Sequence, residues 1–130
     1  MTETFTDIKI KELDTDASGP SGEGDLSRVV FKLSQMAPSF WAEHFNHLWA
    51  NNFHMKHRRA RVSGNMLEII CMTDEVERDH LPELKKVIFY ANEEYKKHLA
   101  KLERERKSKE DLEMRQKGEI SDLKSRLDFD

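Results

Sequence analysis

Four histidines are the side chains most suggestive of chemistry. His44 and His47 stand three positions apart, and His54 and His57 repeat that spacing shortly afterwards. Residues at i and i+3 share a helix face, so each pair has the spacing to chelate zinc, nickel or iron, with Glu43, Asp79 or His80 completing the shell. No His-Glu-x-x-His motif joins these ligands to a catalytic base, and no cysteine cluster supports a structural site. On the plainer reading, His44 and His47 border an aromatic stripe as half-buried polar groups, and His54 and His57 belong to a polar turn. No cofactor is expected.

The basic run Lys56-His57-Arg58-Arg59-Ala60-Arg61 is the second constellation. Clustered guanidinium groups bind phosphate bidentately, and Trp49 and Phe53 nearby offer rings for a base to stack on, so Lys56, Arg58, Arg59 and Arg61 form a candidate nucleic-acid or nucleotide site. An isoelectric point near 6.1 and the lack of any recognisable nucleic-acid-binding signature rank this reading second. The competing view is a charged edge strand.

Catalysis has less support. The glycine-rich stretch Ser18 to Gly24 is acidic and would repel phosphate, and no Walker or dinucleotide motif is present. The single cysteine, Cys71, lies in the most apolar segment, where a thiolate is disfavoured, so it reads as a structural thiol. It also excludes a disulfide framework. The carboxylates of 74–79 suit a solvated helix entrance. No catalytic residue is assigned.

The elements that must position these residues follow from periodicity. Ile8 and Ile10 alternate with Asp7, Lys9 and Lys11, giving a first strand within 5–13. Residues 14–25, rich in glycine and acidic groups, read as a flexible loop. A second strand spans 26–33, with Val29, Phe31 and Leu33 on one side and Arg28, Val30 and Lys32 on the other. Pro38 and Ser39 start a helix to about Asn52, where Trp41, Phe45, Leu48, Trp49 and Asn52 form one stripe that is most economically core. Strands at 59–62 and 66–72 flank Ser63-Gly64-Asn65, a hairpin signal. Thr73-Asp74-Glu75 caps a second helix whose apolar positions Leu84, Ile88, Ala91, Tyr95, Leu99 and Leu102 recur every three or four residues.

This ββαββα order predicts a small two-layer α+β sandwich with a four-stranded, largely antiparallel sheet. Moving the first strand to the end yields the ferredoxin-like order, an analogy of topology that implies no function. It demands that the second and fourth strands be central and the first and third be edges. The fourth strand is apolar on both faces, whereas Lys9, Lys11, Arg59 and Arg61 mark the first and third as edges.

Of the residues, 37% are hydrophobic and 36% charged, and the charge is unevenly spread. Residues 1–27 hold two basic and seven acidic side chains, 28–95 nine of each, and 96–130 eleven and nine. Residues 1–95 therefore read as the α+β domain and 96–130 as a charged helical extension. Beyond Leu102 the helical register falls on Arg106, Lys109, Glu113 and Gln116 before returning to Ile120, Leu123 and Leu127. Intrahelical pairs such as Glu103 with Lys107 and Glu113 with Lys117 support such a helix, and Gly118 weakens it.

A two-layer sandwich leaves one sheet face open, which would carry Met66, Ile70 and Met72. Those residues, with Leu99, Leu102, Ile120, Leu123 and Leu127, form the candidate interface. The expectation is a non-catalytic binding or assembly module, a homodimer with a possible protein partner for the C-terminal helix. A metal-dependent enzyme built on the histidines ranks third. No segment approaches the roughly 18 apolar residues of a membrane helix, and the first residues lack a secretory signal, so no membrane contact and a cytoplasmic location are expected.

Overall fold

The computed structural model of the chain describes residues 5–51 and 58–129. Its elements are β1 (Ile10–Leu13), β2 (Gly19–Pro20), β3 (Ser27–Leu33), α1 (Ser39–Ala50), β4 (Ala60–Ser63), β5 (Met66–Cys71) and α2 (Leu81–Arg126). Two compact units divide the chain, Met1–Tyr95 and Lys96–Asp130.

In the first unit the sheet is antiparallel, ordered β1-β3-β5-β4. This is the order the permuted ferredoxin-like arrangement demands, with β5, apolar on both faces, central and β3 beside it, carrying Arg28 and Lys32 on its other face. Its logic is alternation. Val29, Phe31 and Leu33 of β3 and Leu67, Ile69 and Cys71 of β5 face one way and are buried, and Val62 of β4 joins them. The helices cover that face. Trp41, Phe45 and Trp49 recur every four residues along α1 with their rings stacked in parallel, 5.7 and 6.4 Å between successive centroids. From α2, Leu84, Val87, Ile88 and Ala91 complete the core. The tryptophans are therefore packing residues, Trp41 wholly and Trp49 almost wholly enclosed.

Several local features differ from expectation. β1 begins at Ile10, and an irregularity in its pairing between Ile10 and Glu12 breaks the alternation, with Leu13 half exposed. The acidic stretch 14–25 is not featureless. Asp14 accepts a hydrogen bond from the Ala17 N–H through its side chain and from the Ser18 hydroxyl through its carbonyl, the turn chemistry short polar residues supply. β2 then pairs with the start of β3, at Arg28 and Ser27, while β1 takes the other end of the same edge. Gly64 adopts φ +62° in the β4–β5 hairpin, as a tight turn requires.

The second helix starts in stages. A 3-10 turn (Thr73–Glu75) and a π-helical turn (Val76–His80) precede α2, so Pro82 falls in its first turn, where no N–H is needed. α2 takes in most of the charged extension as one helix of 46 residues, and Gly118 does not interrupt it.

Candidate functional site

Among the described residues of the basic run, the arginines do not share one surface. Ala60 and Val62 point into the core, so Arg59 and Arg61 point away from it, whereas Arg58 turns to the core side at the end of the sheet. There its guanidinium meets the Glu75 carboxylate through both Nε and Nη2, at 3.2 and 3.4 Å. Glu75 is almost enclosed. It also accepts the Met72 N–H at 3.0 Å and approaches His80 Nε2 at 3.6 Å, His80 being fully buried. Burial pushes the Glu75 carboxyl up, but the Met72 N–H, Arg58 and His80 together outweigh it and hold the group below the usual carboxylate range. Nearby, burial and the Glu75 charge push the Cys71 thiol up to about 11. This cluster closes the junction between β5 and α2, and its thiol is far from the thiolate a nucleophile needs.

On the open sheet face, Arg59 pairs with Glu23, while Arg28 pairs with Glu68 at 3.1 Å and donates to the Ala17 carbonyl at 2.9 Å. Ser18 Oγ accepts the Val30 N–H, and Val30, which points to this face, is fully buried. The 14–20 segment thus adds to the edge of β3 and meets the open face at the Arg28 guanidinium. Met66, Ile70 and Met72 are half-buried, and a shallow depression beside Ile70 is lined by Arg59, Arg61 and Glu68. The open face is a laced set of ion pairs with apolar stems between them.

Of the histidines, His44 is half-buried and stacked on Phe40, with ring centroids 6.2 Å apart, and His47 is exposed beside the Asn51 side chain. His54 and His57, like Lys56, lie outside the described residues. Among the described residues no group of three or more histidine, cysteine or acidic side chains is arranged to hold a metal ion.

The residue most important to the geometry that sequence reasoning missed is Asn92. Its Oδ1 accepts the Ile8 N–H at 3.0 Å and the Trp41 Nε1–H at 2.9 Å, and its Nδ2 donates to the Ile8 carbonyl at 3.0 Å. A side-chain amide here imitates a neighbouring strand, satisfying both backbone groups of a buried residue and tying α1, α2 and the N-terminal segment together. A polar residue between Ala91 and Glu93 on a periodic helix was the only available signal. Beside it, Ile8, Ile10, Ile88 and Phe89 line an apolar groove edged by Lys9 and Lys85.

In the second unit, apolar side chains remain in water. Leu102 is 47% exposed, Ile120 66%, Leu123 45% and Leu127 48%, and Leu99 is half-buried. The surrounding helix is held by local ion pairs, with Arg106 bound to Glu103 and Glu110, an arrangement that keeps the Glu103 carboxyl below its usual range. Arg106 is the stronger partner of Glu103, and the Lys107 charge expected from the sequence acts on it as well.

Comparison with known proteins returns no matching family model, no matching curated protein and no matching solved structure. Among the described residues no helix is long and apolar enough to cross a membrane.

Proposed function

We propose that this protein is a non-catalytic assembly module that acts through self-association and protein–protein contact, with the seam Leu99, Leu102, Ile120, Leu123 and Leu127 as its working surface. One observation carries the reading: a helix of 46 residues presents large aliphatic side chains to solvent at heptad-like spacing. Leaving that much apolar surface in water is unfavourable by about 25 cal/mol per Å², which a partner helix would recover. The first unit supports the same reading. Its polar clusters are occupied in holding the fold, its thiol is suppressed, and both tryptophans and Phe45 are core.

Sedimentation equilibrium of the full chain across a wide concentration range tests this. A dimer that dissociates when Ile120 and Leu123 are both changed to lysine is expected. A monomer at every concentration would remove self-association from the reading.

A further inference from the structure

The interrupted seam of the second unit is symmetric about Asp111. Lys109 and Glu113 lie two residues to either side of it, Arg106 and Gln116 five, Leu102 and Ile120 nine, and Leu99 and Leu123 twelve. All belong to one heptad register, with Leu99, Arg106, Glu113 and Ile120 at one core position and Leu102, Lys109, Gln116 and Leu123 at the other. All lie on one helix, α2.

Resting on the assembly reading above, we infer that the partner for this seam is a second copy of the same helix, running antiparallel, with its two-fold axis at Asp111. Antiparallel pairing sets each core position of one type against the other type. Leu99 then meets the partner's Leu123, and Leu102 meets the partner's Ile120, at both ends of the contact. In the centre Lys109 faces the partner's Glu113, twice by symmetry, and Arg106 faces the partner's Gln116. Leu99, Leu102, Ile120 and Leu123 each find an apolar partner, Lys109 and Glu113 find their opposites, and Arg106 meets a neutral amide.

The in-register parallel pair gives the reverse result. Its apolar ends still match, but Arg106 faces Arg106, Lys109 faces Lys109 and Glu113 faces Glu113, and like charges at a core seam select against that arrangement. Flanking positions do not choose: Glu103 faces Lys117 favourably in the antiparallel pair, but Glu105 faces Glu119. Orientation therefore rests on the core. The central charges, which look like a defect when the seam is read along one chain, act as the element that sets direction and register, at some cost in affinity. The exposure of Leu102, Ile120 and Leu123 in the single chain fits a surface that is complete only in the pair.

Two full-length variants, Leu99→Cys and Leu123→Cys, are mixed and oxidised, with Cys71 buried and out of reach. A heterodisulfide between positions 99 and 123 is expected to dominate. Homodisulfides at both positions would overturn the antiparallel orientation while leaving the assembly reading intact, and a dimer that forms neither would show that another surface pairs. In a parallel measurement by sedimentation, Glu113→Lys is expected to weaken the dimer about tenfold or more. The swap Lys109→Glu with Glu113→Lys restores the dimer if the two residues face one another across the axis, and failure to restore it also overturns the proposal. A wild-type chain that stays monomeric sinks the assembly reading itself.

Discussion

The two units of this chain use the same helical repeat for opposite ends. In α2, residues Leu84, Val87, Ile88 and Ala91 are buried beneath a sheet, whereas Leu102, Ile120 and Leu123, which follow on the same three-and-four spacing, are about half exposed or more. Periodicity identifies a face that wants covering. It does not say whether the cover comes from the same chain. In Met1–Tyr95 the sheet lies within reach and core packing is dense, while in Lys96–Asp130 charges interrupt the seam and local ion pairs hold the helix. Stability in the first unit is tertiary. In the second it is local, and the proposal above makes it quaternary.

The largest test of that contrast is truncation of matched hydrophobes. Trp41→Ala removes the largest fully enclosed ring of the core and the N–H that Asn92 accepts, and it should cost about 3–5 kcal/mol in urea unfolding. Leu102→Ala, measured on a monomeric background, should change the same transition by no more than about 0.5 kcal/mol. Equal effects would dissolve the distinction between the units.

A smaller effect is expected at the junction cluster. Glu75→Gln removes the charge that Arg58 and the Met72 N–H converge upon, at a cost of about 1–3 kcal/mol, Arg58 being partly open to solvent. The sign of the pH dependence follows from the depressed carboxyl. Below the ordinary glutamate value of 4.5 the unfolded chain takes up the proton first, so this contribution, full at neutral pH, declines from there and is gone below the lower folded value. Urea midpoints of wild type and Glu75→Gln should accordingly converge as the pH falls through that range. A constant gap would remove Glu75 as the origin.

The smallest effect belongs to the second unit alone. Gly118 sits in α2 with open space where a Cβ would lie, away from the seam, so Gly118→Ala should raise helix stability by about 1 kcal/mol and leave the first unit's unfolding unchanged. Circular dichroism at low temperature reads the former and tryptophan fluorescence the latter.

Much of the architecture was legible in residue order. The alternation in β3 and β5, the four-residue spacing of Trp41, Phe45 and Trp49, and the Gly64 hairpin are local patterns whose period reports the element and its buried face. Even the strand order followed, from the element order and from a β5 that is apolar on both faces and so belongs in the middle; arginine was no guide to an edge, since central β3 carries Arg28. The candidate sites were less legible. A run of basic residues reads as one patch, yet the alternation of an extended chain sends Arg58 to one side and Arg59 and Arg61 to the other. The loop at 14–25 looked too polar to order, but Asp14 and Ser18 bond to backbone rather than bury, a route to order that composition does not register.

By itself, then, the amino-acid sequence determined which segments become strands and helices, which of their faces are apolar, and where the charge-rich helix carries its symmetric, interrupted seam. Only the tertiary structure decided that Asn92 completes the backbone of Ile8, 84 residues away, that Glu75 gathers Arg58 and His80, and that Ser18 accepts the Val30 N–H. The reason is physical. Periodicity is written in neighbouring residues, whereas a buried polar group is satisfied by whatever the fold brings within about 3 Å, and that partner leaves no mark in the local sequence.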